Sequence, residues 1–318
     1  MTSTTTCLPA ATMNDTPRSI SSLEQAHSVF IYYPRLKELH EEICRCQRLS
    51  RIAGEPQCMA LEGITGAGKT TLIRRYASEF PRLETHHGTT VPVFYMETPS
   101  PATVKTMASV MLEQLGDPAA HIGTVGSLNS RLIKLLVACH VELVILDDFH
   151  HLIDTETDRI LAKVSDWLKV LIKETGIPFL VVGIDGKVDR ILRANAQLSR
   201  LFAARETLGP FQWKPEEQNT IQSFHIFLST IEKGIGKPLT QTIPRTELLY
   251  RIFYSTDGIV GNVMNLLRYA VMLADEEGQA FLELQFLAQA FEKRMAKHLR
   301  GKVNPFVIPT NETFTPSL

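Results

Sequence analysis

The residues best suited to chemistry are Gly63-Ile64-Thr65-Gly66-Ala67-Gly68-Lys69-Thr70, which match G-x-x-x-x-G-K-[ST] at every fixed position. That spacing suits one task. Glycines, lacking a Cβ, let the backbone curl around a polyphosphate with successive N–H groups turned inward. The stretch from Gly63 through Thr65, Gly66, Ala67 and Gly68 to Lys69, Thr70 and Thr71 is therefore the candidate nucleotide cradle. Lys69 would neutralise the β- and γ-phosphates, and the Thr70 hydroxyl would ligate Mg²⁺.

A second group sits at Leu143-Val144-Ile145-Leu146-Asp147-Asp148. Four apolar residues followed by two carboxylates describe a buried parallel strand with acids at its C-terminal end, where open α/β sheets bind ligands. Asp147 would hold Mg²⁺, and Asp148 would orient and deprotonate an attacking water. Most ATPases of this kind carry Glu at the second position, and Asp is one methylene shorter. His150 and His151 read as loop residues beside the site, because adjacent side chains rarely converge on one ion. Asp185, just after the apolar run 179–183, could sense the γ-phosphate and the water. Arg200 and Arg205 lie near the edge of the same region, and a planar, permanently charged guanidinium suits a neighbour's γ-phosphate. A solvated surface role stays open for each arginine.

These groups need strands and helices to hold them. The short apolar run Cys58-Met59-Ala60-Leu61 reads as the strand before the loop, and 71–76 as a helix whose N-terminus faces the phosphates. Further strands are expected at 91–96, 143–148, 178–183 and 207–211. Helices are expected from Pro101 to about Leu115, over 127–140, and from Ile160 to Gly176. Upstream, Phe30-Ile31-Tyr32-Tyr33-Pro34-Arg35 precedes Leu36, Leu39 and Ile43 at helical spacing. Ile31, Tyr32 and Pro34 are candidates to close over an adenine, or else belong to an ordinary core segment. From Lys214 the patterns are helical throughout, over about 216–233, 244–256, 259–276 and 280–299.

The expected organisation is thus a polar, disordered tail (1–22), an α/β nucleotide-binding region (23–213), a small all-helical region (214–300) and an extended C-terminal segment (301–318) that is disordered or docks on a partner. With 318 residues, 44% of them hydrophobic, the chain can fill one large or two modest cores. A net charge of −1 argues against a strongly basic nucleic-acid coat. No run is apolar and long enough for a membrane span, and the Thr-rich start lacks a signal-peptide layout. Five scattered cysteines with no C-x-x-C fit reduced thiols in a cytoplasm better than a disulfide framework or metal site.

Strands and helices alternating around a phosphate loop, then a helical lid, resemble an AAA+ P-loop ATPase with a parallel central sheet. Within that class the chain resembles the TnsC/TniB family of transposition-regulator ATPases, with more distant likeness to IstB, MuB and the origin-recognition ATPases. The residues that carry this are 31–35, 63–70, 143–152, 179–185, 198–202 and Gly258-Ile259-Val260-Gly261-Asn262. The resemblance implies an ATP-dependent regulator that binds double-stranded DNA and assembles on it as a ring or helical filament. It would link a TniQ/TnsD-like target-selection protein to the transposase. ATP would sit between protomers, with Arg200 as the finger supplied in trans and Arg205 as second choice. Asn262 in the lid motif would join the nucleotide contacts. Met264 stands where many AAA+ proteins have a second sensor arginine, and Arg268 follows one turn on. Asp148 in place of Glu implies slow or partner-stimulated hydrolysis. The family's DNA contacts fall here on Lys105 and Thr124. Two other readings stay open: an ExeA-like assembly ATPase without a DNA role, and a nucleotide-binding scaffold.

Overall fold

Four of the five strands of the main sheet are apolar through their middles, because strands buried on both faces must be apolar along their length; the edge strand 204–207, with Arg205 and Glu206 at its centre, is the exception. The computed structural model describes residues 30–309 apart from 51, 53–54, 87, 101, 153–157, 298 and 300. The expected N-terminal tail and the end of the C-terminal segment lie outside these residues. The strands are β1 (Met59–Glu62), β2 (Leu83–Thr85), β3 (Gly88–Thr90), β4 (Val93–Glu97), β5 (Leu143–Asp147), β6 (Phe179–Gly183) and β7 (Ala204–Thr207). The main sheet has the order β4-β5-β6-β1-β7 and is parallel throughout. β2 and β3 form a separate, largely exposed antiparallel pair with no counterpart among the expected strands.

The helices are α1 (Pro34–Ser50), α2 (Lys69–Ser78), α3 (Val104–Leu115), α4 (Val125–Ala138), α5 (Asp158–Thr175), α6 (Lys187–Arg193), α7 (Ala196–Leu201), α8 (Gln218–Ile235), α9 (Arg245–Thr256), α10 (Val260–Glu276) and α11 (Leu284–Arg294). Side chains alternate across a strand, and the cores follow that alternation. Met59, Leu61, Ile145, Leu180 and Val182 face α1, α2 and α8 to α11. Ala60, Val144, Leu146, Phe179 and Val181 face α3 to α7. The helical region after residue 213 therefore shares one continuous core with a face of the sheet. Tyr33, Phe211 and Phe227 join them, with ring centroids 4.8 to 5.4 Å apart.

Three differences from expectation bear on named residues. The last strand is Ala204–Thr207 rather than 207–211, so Arg205 lies on the strand itself. Its register against β1, Met59↔Ala204 to Glu62↔Thr207, leaves one further bond from Leu208 N–H to the Glu62 carbonyl (2.8 Å). Gly209 and Pro210 then follow, and proline has no N–H to continue a ladder. α3 begins at Val104 rather than Pro101, because Thr103 and Thr106 form a reciprocal capping box there. Pro101 itself lies outside the described residues.

The third difference is the C-terminal segment, which docks on its own chain as far as residue 309. Asn304 donates to the Ala288 carbonyl and to Glu292 (3.1 and 2.9 Å), and Phe306 is buried. Arg251 of α9 is 0% exposed; its Nη1 donates to the carbonyls of Pro305 (2.7 Å) and Ile308 (2.9 Å), and its Nε to Glu247 (3.0 Å). A buried guanidinium left short of acceptors is costly, since hydrogen bonds to charged groups are worth about 1.5–3 kcal/mol each. A chain ending at Gly301 is therefore predicted to lose about 3 kcal/mol or more, a fall in Tm of roughly 5–10 °C. A thermal melt identical to that of the full chain would show that the segment contributes nothing.

Candidate functional site

β1 delivers the chain into the 63–68 loop, and α2 starts at Lys69, so the loop caps the helix N-terminus where an anion is favoured. Gly66 and Gly68 have φ of 81° and 103°, the left-handed region open to glycine. Gly63 is required for a different reason: a Cβ there would stand 2.1 Å from the Leu208 carbonyl oxygen. Lys69 is 9% exposed, and its Nζ donates to the carbonyls of Gly63 (2.8 Å) and Ile64 (2.9 Å). Burial lowers its pKa, against the pull of Asp147, Asp185 and Asp148. The three carboxylates singled out from sequence thus act on the one ammonium of Lys69.

Asp147 ends β5 and is 1% exposed. Burial raises its pKa, opposed by hydrogen bonds from the Thr70 hydroxyl and the Asp148 N–H (2.9 Å). Tyr95 on neighbouring β4 donates its hydroxyl to the other carboxylate oxygen (3.3 Å) and accepts from Arg74 Nε (3.1 Å). Asp148 follows with φ 49°, a left-handed conformation that aspartate tolerates better than most residues. It leads into a 3-10 turn, Phe149–Leu152, whose Phe149 and Leu152 are buried. Asp185 is exposed just beyond β6.

A cavity of about 500 Å³ opens at this end of the sheet, within the usual range for small-molecule sites. On one side it is lined by Thr65, Gly66, Gly68, Lys69, Thr70 and Thr71; Gly63 and Ala67 are packed beneath. Asp148, His150 and His151 line it further on. The upstream segment contributes Ile31 with Phe30, Tyr33 and Leu36. Tyr32 and Pro34 do not line it. The Tyr32 ring packs on Phe30 and His40, and Pro34 opens α1 with its ring exposed, where the missing N–H costs nothing.

The opposite wall comes from α10: Val260, Gly261, Met264, Asn265 and Arg268. Gly261 N–H donates to the Gly66 carbonyl (2.8 Å), tying this helix to the loop. Asn262 is turned away and donates to the Thr256 carbonyl (3.2 Å). Arg268, one turn after Met264, is on the lining face, and burial lowers its pKa. Phe227 of α8 also lines the cavity; no local sequence signal marked it, because its neighbours there are far away in the chain.

The donor set fits a magnesium nucleotide. Among the described residues no three His, Cys, Asp or Glu side chains are placed to hold a metal together. Mg²⁺ asks for less, usually one or two protein oxygens with phosphates and water completing the shell. The hydrogen-bonded Thr70 hydroxyl and Asp147 carboxylate supply such oxygens.

The two arginines part company. Arg205 is held by its own chain, ion-paired with Asp189 and donating to the Ser199 hydroxyl (2.7 Å) and the Phe202 carbonyl (3.2 Å). Arg200 on α7 has a side chain 79% exposed with one long contact to Glu55 (3.4 Å). Neither lines the cavity. Lys105 is exposed in the first turn of α3. Thr124 caps α4, its hydroxyl accepting the Ser127 N–H (3.3 Å). His121 pairs with Glu113 (3.5 Å), which puts the Thr124 turn at the far end of α3. Lys105 and Thr124 are therefore not one cluster; about 12 Å of helical rise separates Lys105 from Glu113.

Comparison with known proteins agrees with this geometry. A family model described as bacterial TniB protein matches residues 22–214. No curated protein matches the chain. The fold is shared with the Aeropyrum pernix ORC2 protein in ADPNP–ADP complexes (TM-score 0.62, 19% identity, 85% of this chain and 71% of that one). It is shared with Cdc6p from Pyrobaculum aerophilum (0.60, 16%, 86% and 71%). The Aeropyrum pernix ORC1 protein in complex with DNA is also similar (0.59, 16%, 87% and 69%). The parallel sheet with its helical lid is the AAA+ P-loop fold. No helix among the described residues is long and apolar enough to cross a membrane.

Proposed function

Because the chain belongs to the bacterial TniB family, we propose that it is an ATP-dependent, DNA-binding regulator of transposition that assembles on double-stranded DNA and links a target-selection protein to the transposase. The observation that carries the reading is the single cavity shared by the complete phosphate loop, Asp148 and the lid residue Arg268. Loop amides and Lys69 bind the phosphates, and Ile31, Tyr33 and Phe227 give the base an apolar wall. Mg²⁺, held through Thr70 and Asp147, would neutralise charge on the β- and γ-phosphates. In hydrolysis a water oxygen bonds to the γ-phosphorus and its proton passes to the Asp148 carboxylate. The bond to the β–γ bridging oxygen breaks, leaving ADP and phosphate. Arg268 would stabilise the phosphates from the lid.

The exposure of Arg200 supports a finger in trans, since a guanidinium without strong partners in its own protomer is available to the next one's γ-phosphate. The firmly held Arg205 suits a structural clasp. A near-neutral protomer with separated contacts at Lys105 and Thr124 should bind DNA weakly alone, because it releases few counterions. Protomers joined through ATP would share one duplex, so later contacts form at high effective concentration. Arg200→Ala is thus expected to abolish ATP-dependent assembly and, with it, DNA binding. Lys105→Ala should weaken DNA binding while leaving nucleotide binding intact. Anisotropy titrations with labelled duplex, with and without a non-hydrolysable ATP analogue, decide the matter. Tight DNA binding without nucleotide, or parental assembly by Arg200→Ala, would favour an assembly ATPase with no DNA role or a nucleotide-binding scaffold.

A further inference from the structure

Asp148 raises a problem of reach. Its carboxylate is one methylene shorter than the glutamate usual at this position, yet it must address the same water. Its backbone explains the choice of residue: φ of 49° is tolerated by aspartate and is less favourable for a longer side chain. The short side chain therefore needs its orientation fixed by something else.

The neighbouring turn supplies it. His151 N–H donates to the Asp148 carbonyl (3.0 Å), closing the 3-10 turn. Buried Phe149 and Leu152 anchor that turn in the core. The His150 backbone and Cβ pack on the end of β6, where a Cβ on Gly183 would stand 3.3 Å from His150 N and 3.5 Å from His150 Cβ. The root of the side chain is thereby fixed on a buried strand, His150 is 8% exposed, and its Nδ1 lies 3.9 Å from Asp148 Oδ1. Its ring also packs on His151, centroids 4.5 Å apart. Asp148 and both histidines line the cavity that holds the phosphate loop.

We propose that His150 is a positioning residue for Asp148: its imidazole holds the shorter carboxylate toward the attacking water, the task a glutamate would perform with its own extra methylene. Catalytic hydrogen bonds are often long in free enzymes and tighten when substrate is bound; a movement of about 1 Å brings Nδ1 and Oδ1 into hydrogen-bond range. The assignment rests on the reading that ATP is hydrolysed in this cavity, and it makes His150 matter to turnover and not to affinity.

The test is a double-mutant cycle with steady-state ATP hydrolysis in the presence of duplex DNA, and nucleotide binding measured by calorimetry. His150→Ala should lower kcat about ten-fold while KM and ATP affinity stay within about two-fold. His150→Asn places an amide N–H near the position of Nδ1 and should recover most of the loss. In an Asp148→Glu background, whose longer side chain reaches without the imidazole even though the left-handed backbone lowers its own rate, His150→Ala should cost less than about two-fold relative to that background. Equal losses in both backgrounds, or an Asn variant as impaired as the Ala variant, would mean that His150 only packs. An unchanged kcat for His150→Ala in a hydrolysing parent overturns this assignment alone. A parent that binds ATP but never hydrolyses it overturns the proposed hydrolysis and this assignment together.

Discussion

Asp148→Asn is expected to bind ATP and Mg²⁺ as the parent does and to lose roughly 10²–10⁴-fold in turnover, the range that a positioned general base supplies. Asparagine makes this a clean substitution. It has nearly the volume of aspartate, and it is the other residue commonly found at positive φ, so the left-handed backbone at residue 148 carries no new strain. The N–H bond from residue 148 to the Asp147 carboxylate (2.9 Å) is a backbone contact and survives. What goes is the capacity to take a proton. Single-turnover phosphate release, measured beside calorimetric ATP affinity, separates the two effects. Parental turnover would move the water-activating role to another group on the cavity wall.

The second large effect is expected at Lys69. Its ammonium is almost buried and is held over the site by two loop carbonyls, so it is preorganised and contributes where little water screens it. One charge-assisted contact to phosphate is worth about 1.5–3 kcal/mol, so Lys69→Ala should weaken ATP binding roughly 10- to 150-fold. The three carboxylates that face Lys69 add to the loss, because they would then meet the phosphates without an intervening cation. AMP, which lacks the β- and γ-phosphates, should bind parent and variant alike. Equal ATP affinity for the two proteins would refute the placement of the polyphosphate on this loop.

The parts of the site legible from sequence are those whose chemistry is local. The phosphate loop announces itself because eight consecutive residues must satisfy one ligand. The acidic pair does so because an apolar run ending in two carboxylates has few other uses. Asp185 follows from the same logic, at the end of a second buried strand, but it is exposed and lies outside the cavity lining. Residues brought in over long distances were less visible. Tyr33 and Phe227 line one cavity from segments nearly two hundred positions apart, and nothing local in the sequence singles out either as a site residue. Tyr32 and Asn262 were nominated by position in a motif, but orientation decides which neighbour faces inward: Tyr33 takes the place expected of Tyr32, and Gly261, Asn265 and Arg268 surround the site where Asn262 was expected. The resemblance ranks Arg200 above Arg205 as a finger, but how each is held is visible only in the fold: Arg205 is clasped by Asp189, Ser199 and Phe202, while Arg200 is largely exposed. The C-terminal segment misled because prolines and polar residues resemble a loose tail, while its burial depends on Arg251, which nothing nearby in sequence reveals.

The strand order has a consequence for how the protein is made. β1 carries the phosphate loop, and both of its neighbours lie far downstream: residues 59–62 pair with 180–183 on one side and 204–207 on the other. A ribosome synthesising the chain releases the loop early and its supports late, with a delay on the order of ten seconds at ordinary elongation rates. Until then β1 is an unpaired apolar strand with two open edges, the kind of segment that chaperones hold and that aggregates without them. The last tie, from Gly261 to the Gly66 carbonyl, arrives later still. The nucleotide site is thus among the first stretches to be translated and among the last to take shape.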